Sequence, residues 1–180
     1  MDRGLSITDY TNLYNISLEE IYGIVKNTSI RSRNTINKRL NATNLLGLSK
    51  DPEIKFTLKN EYIFQHKIVI PQLKKQGHKI EDQSIIKSNY TFNPVIDILS
   101  TFKKKKYFTE IKIDATLGSF QKAVGQLSMH RYTQEYSGSY TDKRNIYQIA
   151  FPIYYKDEKT LSSQLIQFLR EEMHIRIVFF

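Results

Sequence analysis

A chain of 180 residues, 40% hydrophobic and 25% charged, is long enough for one domain with a small appendage and too apolar for extended disorder. It has no cysteine, which excludes disulfides, thiolate zinc sites and thiol nucleophiles. Lysine and arginine number 27 against 18 acidic residues, a net charge of +9 that favours a polyanionic partner, nucleic acid first.

Residues 1–52 read as a small helical segment. Ser17-Leu18-Glu19-Glu20 is a capping box, flanked by Ile16 and Ile21 at hydrophobic-staple positions. A second short helix is expected from about Ser32 to Leu40, carrying Arg31, Arg33, Lys38 and Arg39. Two short helices around a tight break suit a helix-turn-helix, so these four cations are candidate DNA contacts; dimerisation is the other use of such an element. Gly47 and Asp51-Pro52 mark the boundary.

From Phe56 to Phe180 the pattern is that of an α/β domain. A helix is expected over Leu58–Gln76, interrupted by Pro71 and closed by Gly77. Strands are expected over His78–Ile86, Thr91–Leu99 and Tyr107–Ile113, then a helix after Gly118 with Ser119 as its N-cap, running to Glu135. A strand over Asn145–Tyr155, a helix over Leu161–Glu172 and a strand over Ile175–Phe180 complete the order.

The chemistry concentrates in two strands. In Phe108-Thr109-Glu110-Ile111-Lys112-Ile113, strand alternation puts Glu110 and Lys112 on one face, about 6.6 Å apart, with the isoleucines opposite. Asp97, in Asn93-Pro94-Val95-Ile96-Asp97, shares that face if the two strands form a hairpin. A turn at Lys103-Lys104 sets Asp97 across from Glu110, and a four-residue loop over Lys103, Lys104, Lys105 and Lys106 sets it across from Lys112. Facing carboxylates call for a cation between them; Mg²⁺, or Mn²⁺ in its place, takes such oxygen ligands and keeps several waters. Lys112 beside it could orient or deprotonate a water. Asp114, at the strand end, reads as a cap or a support for that group.

These residues resemble the PD-(D/E)XK nuclease superfamily, over roughly two thirds of the chain. Asp97 stands where the family's first motif acid falls, Glu110 and Lys112 match its E-x-K, and Gln121 to Leu127 is similar to its following helix. Two departures are the absence of a Pro directly before Asp97 and the presence of His130 where a Q-x-x-x-Y motif needs Tyr. The resemblance implies a restriction-endonuclease-like core, a central mixed β-sheet flanked by helices, and a metal-dependent endodeoxyribonuclease. Its Mg²⁺ ligands would be Asp97 and Glu110, joined by Glu61 from the leading helix, with Lys112 and Gln126 assisting catalysis. Lys103 to Lys106, His130 and Arg131 are further candidate DNA contacts. Restriction, homing, junction-resolving and viral repair enzymes all fit. A non-catalytic DNA-binding protein on the same fold and an RNA-processing nuclease are the alternatives. Cutting both strands implies a homodimer or higher homo-oligomer. The start Met1-Asp2-Arg3-Gly4 lacks signal-peptide layout and no apolar run spans a membrane, so the expected compartment is intracellular, in the cytoplasm.

Overall fold

A computed structural model describes residues 4–27, 60–81, 95–136, 145–156 and 161–180. The chain divides into two compact units, Leu5–Phe64 and, with Gly4, Gln65–Phe180.

In the first unit, α1 (Ile7–Tyr14) and α2 (Leu18–Asn27) each open on a capping box. At α2 the Glu20 N–H donates to Ser17 Oγ at 3.2 Å, and the Ser17 N–H donates to the Glu20 carboxylate at 3.2 Å. Ile16 and Ile21, the staple pair, are both buried. Helix α1 is absent from the sequence reading, because its box uses the shorter Asp9 where the familiar pattern has Glu. Ser6 Oγ accepts from the Asp9 N–H at 3.1 Å, and Asp9 Oδ2 accepts from the Ser6 N–H at 2.7 Å. Tyr10 is fully buried and its hydroxyl meets Asn60 Oδ1 at 2.7 Å. Burial pushes that phenol far above its ordinary pKa. The helix expected near 32–40, with Arg31, Arg33, Lys38 and Arg39, lies outside the described residues.

The first unit ends at Phe64 and the second resumes at Gln65. Residues 60–64 are α-helical, Gln65–Val69 form a π-helix, and α3 (Ile70–Lys75) follows. Pro71 has no N–H to give and its ring crowds the carbonyl four residues back, so the expected interruption takes the form of a widened turn. At the far end the Gly77 N–H donates to the Lys74 carbonyl (2.9 Å) and the His78 N–H to the Leu73 carbonyl (3.0 Å), a Schellman motif. Gly77 sits at φ +90°, and a Cβ there would stand 3.3 Å from the Phe102 ring, so both backbone and neighbour demand glycine.

The sheet of the second unit runs β1 (Lys79–Glu81), β2 (Ile98–Phe102), β3 (Lys105–Ile111), β4 (Asn145–Phe151) and β5 (Ile175–Phe179), in that spatial order. The first three strands form an antiparallel meander; β4 and β5 add on parallel to β3. The parallel connections pass through α4 (Leu117–Tyr136) and α5 (Ser163–Glu171), as parallel pairing requires. One sheet face, with Leu99, Phe108, Tyr147, Ile149 and Ile175, buries against Phe120, Ala123 and Leu127 of α4 and Leu169 of α5. The unit is thus α/β, a five-stranded mixed sheet flanked by helices.

Several boundaries differ from the sequence reading. Of the two hairpin turns the sequence allows, the structure takes Lys103-Lys104, and β3 starts at Lys105, two residues before the expected Tyr107, with Lys105 and Lys106 exposed. Helix α4 starts three residues early: Thr116, not Ser119, is its N-cap, taking the Ser119 N–H on Oγ1 at 3.2 Å. Asp114 in turn accepts from the Thr116 N–H and hydroxyl at 3.1 and 2.6 Å, a cap as expected. Strand β4 ends at Phe151, before Pro152, and Ile153–Lys156 coil into a 3₁₀ turn. Among the described residues no helix is long and apolar enough to cross a membrane.

Candidate functional site

Strand β3 is the pivot of the sheet, antiparallel to β2 on one side and parallel to β4 on the other. Ligands of open α/β sheets gather beyond the carboxyl ends of such strands. There β3 carries Glu110 and, one residue past its end, the strand-paired Lys112, whose N–H donates to the Ala150 carbonyl at 3.0 Å. The pairing Ile98↔Thr109 is the last rung of the β2–β3 ladder. One step further the register brings Asp97 opposite Glu110, the arrangement expected of the two-residue turn.

Asp97 leaves the ladder there, and its Oδ2 accepts the Ile111 N–H at 2.9 Å, so a side chain replaces a strand acceptor. Its backbone carbonyl accepts from Gln65 Nε2 at 2.7 Å. Gln65 opens the π-helix, and no sequence feature ties it to Asp97, 32 residues away.

Glu110 is fully buried. A carboxylate removed from water needs charged or donor groups around it. Lys112 Nζ stands 3.9 Å from its Oε2, and His130 Nε2 lies 3.3 Å from its Oε1. Lys112 also donates to the Ile111 carbonyl at 2.7 Å, which fixes the ammonium over the strand end. Burial lowers the His130 pKa, against the opposing pull of the Asp97 charge and the Val95 backbone, so the ring is poised neutral. For Asp114, burial acts upward, but hydrogen bonds from Thr116 and Ser119 and the Lys112 charge win and hold its carboxyl below the usual range.

The sequence reading makes His130 a DNA contact. At 1% exposure it faces Glu110 instead, because α4 turns it inward on the stripe of Ala123 and Leu127. Gln126 is exposed, on the rim of an open, mainly apolar cleft shared with Val95, Lys122, Gly125 and Met129, with His130 at its base. Arg131 is half-buried and donates to the Met173 carbonyl at 3.3 Å, bracing α4 to the approach of β5. Lys103, Lys104, Lys105 and Lys106 are all exposed at the hairpin tip. Glu61 belongs to the first unit and is exposed on its helix. The sheet therefore gathers Asp97, Glu110, Lys112 and His130 at one strand end.

Among the described residues no three His, Asp or Glu side chains form a metal-holding group by themselves. Two carboxylates are nonetheless what a largely hydrated Mg²⁺ asks of a protein, the remaining positions going to water and phosphate. Asp97 and Glu110 supply hard oxygen donors, and the absence of a thiolate suits a hard cation over zinc.

No family model matches the chain, and no curated protein matches it. Among solved structures, the chain is similar to an XisH family protein from Nostoc punctiforme PCC 73102, at TM-score 0.46 and 17% identity over 64% of this chain and 88% of that one. It is also similar to an fdxN element excision controlling factor protein from Anabaena variabilis, at TM-score 0.46 and 19% identity, with the same coverage of 64% and 88%.

Proposed function

We propose that the protein is a Mg²⁺-dependent endodeoxyribonuclease of PD-(D/E)XK type, hydrolysing DNA phosphodiester bonds at the carboxyl end of β3. One observation carries this reading: Asp97, Glu110 and Lys112 converge on one strand end, with the lysine ammonium 3.9 Å from a buried carboxylate. Asp97 Oδ2 already takes the Ile111 N–H, so the reading rests on the convergence of all three groups and not on any one of them. Asp97 and Glu110 would hold the cation, which when bound supplies charge for the phosphoryl oxygens and acidifies a water. The hydrogen bond from the Ile111 N–H fixes the Asp97 carboxyl, and His130 fixes Glu110. Lys112 orients the attacking water and offsets the negative charge that builds as phosphorus is attacked. The excess of 27 basic over 18 acidic residues supports affinity for the DNA backbone.

The test is nicking of supercoiled plasmid by wild type, Glu110→Gln and Lys112→Ala, in Mg²⁺ and in EDTA. Cleavage should need Mg²⁺, and each variant should fall by about 100-fold or more while binding DNA within a few-fold of wild type. Equal cleavage by the variants would overturn the site assignment. Tight DNA binding by a wild type that never cuts would favour the non-catalytic reading.

A further inference from the structure

The sheet face opposite Glu110 carries a second concave surface. Successive strand residues face opposite ways, so Tyr107 and Thr109 point away from Phe108 and Glu110. The register extends that face sideways: Thr109 lies beside Gln148 of β4, and Gln148 beside Arg176 of β5. On the other flank Tyr107 lies opposite Ser100 of β2. The resulting concavity, of about 450 Å³, has an apolar lining that includes Leu73, Ile153 and Val178, and set into it are three other chemical parts.

Its wall is aromatic. The His78 ring stacks on Phe102 at 4.9 Å between centroids, and Tyr107 meets the same imidazole edge-on at 4.7 Å. All three are half-buried, so ring surface remains accessible. His78 is anchored by Ser100 Oγ at 3.0 Å, and burial pushes its pKa down, which leaves a neutral ring. The floor is polar: Gln148 is buried and donates to Thr109 Oγ1 at 2.9 Å. Buried polar residues side by side are an expensive lining for a surface used only for apolar packing. The rim is cationic, formed by Arg176 and Lys156, both exposed, and among the described residues no acidic side chain lines the cavity. Lys103 Nζ lies 5.1 Å from the Phe102 ring, which links the wall to the lysine hairpin.

An anion would answer the rim, a flat ring the wall, and a hydrogen-bonding edge the amide floor. We propose that this concavity binds single-stranded nucleic acid, one base stacked on the His78–Phe102–Tyr107 wall and its flanking phosphates held by Arg176 and Lys156. Aromatic platforms inside a positively charged groove are how single strands are held without sequence preference. The site shares no residue with the strand end around Glu110, so it stands or falls separately from the nuclease reading.

Anisotropy of a fluorescein-labelled oligothymidylate and of a duplex of equal length, measured in EDTA so that cleavage plays no part, tests it. Tyr107→Leu keeps apolar volume but removes the ring, and should weaken the single strand by about fivefold or more, with little effect on the duplex. Arg176→Gln with Lys156→Gln should flatten the single-strand salt slope by about 0.7 for each phosphate that is no longer neutralised. Unchanged affinity and slope, or equal losses for both nucleic acids, would overturn the proposal. So would a shift in sedimentation with no change in affinity, which would make this face a contact between copies of the chain. Should Tyr107→Leu fail to fold, the wild type still decides: the His78 ring proton resonances must move upfield as the oligothymidylate is added, and still signals at saturation would refute stacking.

Discussion

Glu110 sits at a position closed to water, and its neighbours set what an ionised carboxylate would cost there. An ionised carboxylate without partners would sooner take up a proton than remain buried. Lys112 is 3.9 Å away and His130 3.3 Å, so an ammonium and a ring nitrogen both face that carboxyl. Replacing His130 with Leu keeps the volume but leaves Glu110 Oε1 without the ring nitrogen, and should cost about 1–3 kcal/mol of folding stability. His130→Gln restores a donor near the same place and should recover at least half of that loss. Urea unfolding of the three proteins checks it; a Leu variant as stable as wild type would show that the His130 contact contributes nothing. The inward turn of His130 was legible in principle, since Ala123, Leu127 and His130 follow one another at spacings of four and three, the stripe of a helix core. A histidine's mixed character obscured it, because the same residue is equally at home on a nucleic-acid surface. Gln65 was not legible: its bond to the Asp97 carbonyl spans 32 residues and follows from no local pattern.

The β2–β3 hairpin shows how far an element can be read from residue alternation. Period-two patterning placed Asp97, Glu110 and Lys112 on one face, and the structure keeps that parity in the two-residue register. The ends of the strands were not readable. A run of four lysines allows a two-residue turn or a loop over all four, and the pairing of Lys105 and Lys106 with Phe102 and Thr101 selects the turn, their side chains simply reaching water. The turn itself is costly for its residues. Lys103 and Lys104 have φ of 47° and 63°, as a type I′ turn requires, where an ordinary side chain loses about 1–2 kcal/mol at each position. Asn-Gly is the pair suited to that geometry. The double variant Lys103→Asn, Lys104→Gly should therefore stabilise the protein by about 1–2 kcal/mol, roughly 2–4 °C in Tm for each kcal/mol at this length. Thermal and urea melts decide it, and a lower Tm would mean that the lysines contribute more through Phe102, over which Lys103 sits, than the turn loses. The same gap between pattern and boundary appears at α4: Thr116 and Ser119 are both good caps, and Asp114, bonded to Thr116, settles the choice.

At the scale of the whole molecule, the antiparallel meander followed by two parallel strands places the end of β3 where the sheet changes character. The alternation of strands and helices along the chain made the α/β class legible; the π-helix at Gln65–Val69 and the exact ladder ends were not, because they depend on packing between distant segments. The proposed cation site is a property of this assembled sheet: Asp97 comes from β2's approach and Glu110 from β3, so the pair exists only in the folded state. A ligand that binds only the folded state stabilises it by RT ln(1 + [L]/Kd), about 2.7 kcal/mol at a hundredfold excess over Kd. Wild type should therefore melt higher in millimolar Mg²⁺ or Mn²⁺ than in EDTA, without any DNA present. Asp97→Asn and Glu110→Gln each replace a carboxylate with an amide of the same shape, and should lose most of that increment. The Asn can still accept the Ile111 N–H through its amide oxygen, so its metal-free fold should be close to wild type. Melts of the three proteins, with MgCl₂ against NaCl of equal ionic strength, separate specific binding from screening. Equal increments in all three would mean that Asp97 and Glu110 do not form an ion site, and Glu110 would then be a buried structural partner of Lys112 and His130.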